Sequence, residues 1–170
     1  LVMRTVDIIL ALPIILIALV LVVSLGSSFQ LIIVILAIAI WPLFSRVTRG
    51  EVLRVKDMDY VALAQVAGAS TLRIMFVHIL PGVANSVIVV ATLLVGVIIL
   101  LEAALSFLGA GVPPPTPAWG SMLAEGRDRI AVAWWISAIP GIAIFLTVLS
   151  LNLFGDWLRD ALDPKLRHLE

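Results

Sequence analysis

The chain has 170 residues, 62% hydrophobic and 13% charged, with eleven cationic and eleven acidic side chains and a mean hydropathy of +1.20. A soluble domain is usually about 45–50% apolar and about 25% charged, so this composition excludes that class, and zero net charge gives no bulk attraction to nucleic acid. Cysteine is absent, which removes disulfides, thiolate catalysis and Cys-based metal sites.

The chain begins on Leu1 and turns apolar almost at once, which reads as an N-terminally truncated product rather than a signal peptide before a mature domain. The first expected span, about 6–25, has close to the ~20 apolar residues a bilayer needs, with a kink at Pro13. Gly26, Ser27 and Ser28 make a short turn. The second span, about 29–47, carries Trp41 near an interface and a kink at Pro42, and runs into Arg46, Arg49, Arg54 and Lys56. A polar island at about 57–82 follows, then a third span at about 83–108, which holds Glu102. A Pro- and Gly-rich loop occupies about 109–129, a fourth span about 130–154, and a polar tail closes the chain. The expected fold is all-α: one polytopic membrane domain of about four helices.

Within the island, Asp59 is expected to cap a first short helix, with Tyr60, Leu63, Ala64 and Ala67 on one face. Gly68 stands where a left-handed residue ends a helix, followed by Ala69. Ser70 is expected to cap a second helix, with Leu72, Met75, Phe76 and Ile79 on one face, ending at Leu80 and Pro81. A unit this small cannot bury its own apolar faces, so it must dock on something. A DNA-reading helix-turn-helix would need a basic, soluble domain, and after Lys56 the island has only Arg73 and His78.

Cations fix the expected orientation. Arg4, Arg46, Arg49, Arg54, Lys56, Arg73, Arg159, Lys165 and Arg167 gather on one side, and only Arg127 and Arg129 on the other. The island and both termini are therefore expected in the cytoplasm and the proline loop outside.

Chemistry is sparse. No phosphate-cradling G-x-x-x-x-G-K-[ST] run exists, His78 and His168 are too far apart for a ligand pair, and no nucleophile–base pairing is suggested. An enzyme, a metal and a cofactor are not expected. Glu102 is an intramembrane acid and so a functional candidate. Yet Leu108 is only six residues on, and at ~1.5 Å per residue Glu102 is expected to reach the outer water or to cap the start of the loop. Asn152 is expected to tie two helices together. The run Gly111 to Pro117, with Pro113 and Pro114, is expected to be stiff and extended, with Trp119 and Gly120 leading into a short helix, Ser121 to Arg129. This loop is either a rigid connector or an outer platform. Trp134 and Trp135 read as an interfacial belt.

The island resembles the cytoplasmic loop of ATP-binding-cassette (ABC) importer permeases, whose pattern is roughly Glu-Ala-Ala, three residues, Gly, then Ile-x-Leu-Pro. Aligned on Gly68, the triplet falls on Ala62, Leu63 and Ala64, and the end on His78, Ile79, Leu80 and Pro81. Ala62 replaces the Glu, Leu63 the first Ala, and His78 the Ile. The stretches LEAALSFLGAGVPPPTPAWGSML and FGDWLRDALDPK look like the dipeptide/oligopeptide/nickel branch of that family. The resemblance implies a multi-pass subunit of a bacterial or archaeal cytoplasmic (inner) membrane. It implies that the island docks into separate ATPase subunits, with a second permease subunit as heterodimer partner. An extracytoplasmic substrate-binding protein would meet the outer platform. The alternative is a secondary transporter or channel fragment built on charges or broken helices at the midplane; against it, the span centres hold no Lys, Arg or His.

Overall fold

Three apolar runs become helices long enough to cross a bilayer in the computed structural model, which describes residues 2–162. The described residues form helices and connecting turns only: α1 (Val2–Leu10), α2 (Ile14–Leu25), α3 (Phe29–Lys56), α4 (Asp59–Val66), α5 (Thr71–Arg73), α6 (Leu80–Phe107), α7 (Trp119–Arg127) and α8 (Trp135–Leu162). Lys165, Arg167 and His168 lie outside the described residues.

The first expected span is not one kinked helix. α1 and α2 meet at 94° across residues 11–13. Pro13 is extended (φ −59°, ψ 124°) and begins α2 as its cap, its carbonyl accepting from the N–H groups of Leu16 and Ile17. A proline has no N–H to continue the preceding helix and biases its neighbour away from helical ψ. At twelve residues, α2 rises ~18 Å, well short of the ~30 Å hydrocarbon core.

α3 begins with the Ser28 hydroxyl accepting from the Leu31 N–H at 3.2 Å. It continues through Pro42 without ending, and on past the second expected span to Lys56. α8 likewise contains Pro140, starts five residues later than expected and extends to Leu162. Both prolines are buried.

Pro81 does not stop the second island helix. Residues Thr71–Phe107 form one continuous 37-residue helix, in which Ile74–Ile79 widens into a π turn and the Leu80 N–H reaches back to the Met75 carbonyl. Proline in a plain α-helix loses one hydrogen bond and presses its ring on the carbonyl four residues back. A wider turn placed just ahead of Pro81 gives that carbonyl room.

The core lies towards the Leu105 end of α6. Ala18 and Val22 of α2 meet Ile32, Ile35 and Leu36 of α3, with Leu105 of α6 and Ala110 beyond it. α6 and α8 approach closely at glycines, as membrane helices do. A methyl group built on Gly155 would lie 2.8 Å from the Leu93 side chain, and one on Gly96 would lie 3.3 Å from Asn152 Oδ1. Asn152 thus faces α6. Much apolar surface stays uncovered: only 11% of the most apolar window of α8 is buried, leaving the rest for lipid or for other chains.

Candidate functional site

Two clusters of singled-out residues sit at opposite ends of the Thr71–Phe107 helix. The first cluster, at the Thr71 end, is a hairpin of α4 and α5 with the π turn. Met58, not Asp59, occupies the cap position of α4; Asp59 is the first helical residue, where its charge still complements the helix dipole. α4 ends in a Schellman motif: the Gly68 N–H donates to the Gln65 carbonyl and the Ala69 N–H to the Ala64 carbonyl. This geometry demands a left-handed residue, and Gly68 has φ +77°. Nothing lies within 4 Å of where its side chain would be, so the constraint is conformational and not steric. The chain then re-enters helix at Ser70, whose hydroxyl accepts from the Arg73 N–H at 3.4 Å.

The root of this hairpin is packed and its tip is not. Val55, Val61, Ile74 and Val83 are buried where α3, α4, the π turn and α6 meet. Tyr60 Oη donates to the His78 carbonyl at 3.4 Å, and a side chain on Gly82 would collide with that hydroxyl. Leu63 is 68% exposed, Val66 87%, Leu72 66% and Phe76 62%. Met75 and Leu80 are about half exposed, Ala62, Ser70 and Pro81 are exposed, and Ala64, Ala69 and Ile79 are partly covered. Leu63, Leu72, Met75 and Phe76, foreseen as one-sided stripes, are thus not spent on this chain's own helices.

The second cluster, at the Phe107 end, is tied together by its own hydrogen bonds and close packing. α6 ends in a second Schellman motif, with Gly109 at φ +80° donating to the Ser106 carbonyl and the Ala110 N–H to the Leu105 carbonyl. Glu102 is partly buried; its Oε1 accepts from the Ser106 hydroxyl at 2.6 Å, and Ser106 Oγ accepts from the Val112 N–H at 3.3 Å. The acid thus holds the hydroxyl that reaches the start of the loop. Gly111, Gly120 and Gly126 are buried, and a side chain on any of them would overlap other atoms: Ser106 at Gly111, the Ala103 carbonyl and Ser106 at Gly120, Ser137 at Gly126. α7 is thereby clamped between α6 and α8, and the Arg127 guanidinium lies over the Phe107 ring, 5.9 Å from its centroid.

The proline run is a turn rather than an extended rod. The Thr116 N–H donates to the Pro113 carbonyl at 3.3 Å, and the Pro114–Pro115 bond between them is cis. α7 packs back on α6, so the chain has to reverse here, whereas an extended run would carry it away. α7 begins at Trp119, two residues before the expected start, with Trp119 partly exposed and Gly120 buried. The structure brings Glu102 and Gly120 to one place through Ser106; Pro113 and Pro114 belong to the turn beyond. Sequence reasoning passed over Ser106 and Gly126, took Gly111 only as the start of a stiff run, and placed Tyr60 on a helix face without a partner for its hydroxyl. Ser106 had a local signal, lying four residues after Glu102 on one helix face; Gly111 and Gly126 had none, since only tertiary approach makes them necessary.

Trp134 and Trp135 meet edge to face at 6.2 Å. Among the described residues no group of three His, Asp or Glu side chains comes together to hold a metal ion.

The sequence pattern of binding-protein-dependent transport system inner membrane components matches residues 1–168. The Di/tripeptide transport system permease protein DppC of Pseudomonas aeruginosa (strain UCBPP-PA14) is 50% identical over 168 residues, covering 99% of this chain and 55% of that protein. The Glutathione transport system permease protein GsiD of Salmonella typhimurium (strain LT2) is 46% identical over 166 residues, 98% of this chain and 55% of that protein. GsiD of Escherichia coli O6:K15:H31 gives 46% over 167 residues with the same coverage. The chain spans about half the length of the curated relatives it matches.

Proposed function

Because the chain belongs to the family of binding-protein-dependent transport system inner membrane components, we propose that it forms part of the membrane path of an ABC importer. The cargo class is small peptides; the printed names of the relatives support that class, and nickel is the other cargo of the resembling branch. It is a transport subunit and not an enzyme. Its partners are separate ATPase subunits, a second permease subunit and an extracytoplasmic binding protein, and its surroundings the bilayer of an inner membrane. The island faces the cytoplasm and the proline loop the outside, as the division of cations supports.

One observation carries the coupling role. A hairpin with a rigid, glycine-hinged backbone presents Leu63, Val66, Leu72 and Phe76 to the outside of the chain, and a helix pair that leaves its apolar side chains bare suits docking into a groove of a partner. The hairpin's second arm is the same helix that ends at Glu102 and Ser106. Thirty-seven residues in one helix rise ~55 Å. A tilt imposed on the hairpin by ATP-driven closure of the ATPase subunits therefore reaches the loop beyond Phe107 along one helix, through the π turn ahead of Pro81.

Two measurements test this. In the complete transporter, uptake should stop on ATP depletion and ignore proton and sodium gradients, and the ATPase subunit should co-purify. Single cysteines fit cleanly into a cysteine-free chain: one at Thr116 should react with an impermeant reagent added outside, and one at Ala69 should not. Gradient-driven uptake would refute the importer reading, and the reversed labelling pattern would refute the orientation.

A further inference from the structure

α1 and α3 enclose a polar cleft that the transport reading does not use. It has a volume of about 540 Å³ and is lined by Met3, Arg4 and Asp7 of α1 and by Arg46, Arg49, Gly50 and Leu53 of α3. Three guanidinium groups face one carboxylate. Asp7 is taken by Arg46 at 2.6 Å, and among the described residues neither Arg4 nor Arg49 has an ion-pair partner. The floor is open, since a methyl group on Gly50 would meet nothing within 4 Å. Met3 and Leu53 are the apolar members of its wall, and Ile8, one helical turn on from Arg4, is exposed.

We propose that this cleft binds a phosphate group, that of an anionic phospholipid headgroup. Two unpaired guanidiniums are donors of fixed, forked geometry that match phosphate oxygens, and an anion between them relieves their mutual repulsion. Leu53 in the wall and the exposed Ile8 beside Arg4 favour a lipid over free phosphate, because they give acyl chains an apolar surface to lie on next to the charges. α1 turns 94° from α2, so where α2 runs along the membrane normal, α1 lies in the plane of the headgroups. Basic pockets between membrane helices on the cytoplasmic side are suited to such headgroups; the choice of that side rests on the orientation proposed above.

The test is native mass spectrometry of the full chain from mixed micelles containing phosphatidylglycerol or phosphatidylcholine. The wild type should retain phosphatidylglycerol in preference. Arg4→Gln with Arg49→Gln should lower that retention about 30-fold, at about fivefold per arginine. Gly50→Phe keeps every charge but fills the cleft and should abolish the preference, while Arg159→Gln should leave it intact; unchanged helical circular dichroism shows that each variant folds. Displacement of the lipid by excess inorganic phosphate, or phosphate retained without lipid, would overturn the lipid as the source. Equal retention in wild type and both cleft variants would overturn the site. Micelles have no sides, so a reversed topology in the cysteine experiment would leave these outcomes standing.

Discussion

At the outer end of the Thr71–Phe107 helix, three glycines have no room for a methyl group. At the inner end, Gly68 has room on every side and no freedom of φ. The outer loop is fixed by what presses on it: Ser106 under Gly111, Ala103 and Ser106 against Gly120, Ser137 against Gly126. The inner hairpin is fixed by its own backbone, with a Schellman turn and a serine cap setting the angle between two short helices. The first region has its glycines packed by atoms of this chain. The second is preorganised but unfinished, because the side chains that would repay its ordering point outwards. A glycine therefore means opposite things at Gly120 and at Gly68, and each end holds a minority of the other kind: Gly109, open at φ +80°, beyond Phe107, and Gly82 pressed on the Tyr60 hydroxyl. One kind answers to packing and the other to torsion, and substitutions separate them.

The largest effect is expected at Gly120. Leucine there would drive side-chain atoms into the Ala103 carbonyl, and backbone cannot move aside as a flexible side chain can. Overpacking typically costs about 1–3 kcal/mol, and a clash with backbone belongs at the upper end of that range. Gly120→Leu should lower the thermal midpoint in detergent sharply and expose α7 to protease, with the hairpin end unaffected. A well-folded Gly120→Leu with a protected α7 would show that the outer loop is not clamped.

Next is Ser106→Ala, which removes the hydroxyl shared by Glu102 and the Val112 N–H. Leaving partly buried polar groups unpaired costs about 1–3 kcal/mol. Glu102→Gln keeps an acceptor for Ser106 and should alter transport little. The two variants together sharpen the assignment: loss of stability in Ser106→Ala with near-normal uptake in Glu102→Gln makes the acid a loop organiser. Near-total loss of uptake in Glu102→Gln with normal insertion would make it part of the path.

Gly68→Val should cost about 1–2 kcal/mol, the penalty for a branched L-residue held at left-handed φ. Its functional effect should exceed its effect on stability. The re-aimed stripe of Leu72, Met75, Phe76 and Ile79 should meet the ATPase badly, measured as loss of co-purification or of substrate-stimulated ATP hydrolysis in the complete transporter. Gly68→Asn should retain most of both, since asparagine tolerates that region and the site is open. Equal behaviour of Val and Asn would mean that torsion does not set the docking angle.

Much of the inner region was legible in sequence because its rules are local. Gly68 and Ser70 follow from what helix ends require within four residues, and the apolar runs follow from bilayer thickness. The prolines mark where local rules run out. All four lack an N–H, yet Pro13 breaks the helix, Pro42 and Pro140 ride inside one, and Pro81 follows a π turn. The lost donor is a property of the residue; whether the helix ends depends on which neighbours hold the two halves in line. The proline run misled for the same reason, since its intrinsic stiffness predicts a rod and the packing of α7 on α6 requires a reversal.

The smallest effect is expected at Tyr60, and it bears on whether the hairpin moves with the span. Tyr60 belongs to the first arm, and its hydroxyl reaches the His78 carbonyl in the π turn of the second. At 3.4 Å this is a long hydrogen bond on a partly exposed ring, so its removal should cost about 0.5–1 kcal/mol at most. The arms are otherwise joined at their roots by Val55, Val61, Ile74 and Val83 and at the tip by the Gly68 turn. If the hairpin acts as one rigid lever, both ends are already held and Tyr60→Phe should leave stimulated hydrolysis and uptake in their wild-type ratio. If the clasp matters to force transfer, hydrolysis should persist while uptake per ATP falls, because the first arm would then yield before the helix tilts. The turn and the packed root favour the first outcome. A clear drop in that ratio would relocate the rigidity of the inner region from its backbone to a side-chain contact, the same one that already leaves Gly82 no room for a side chain.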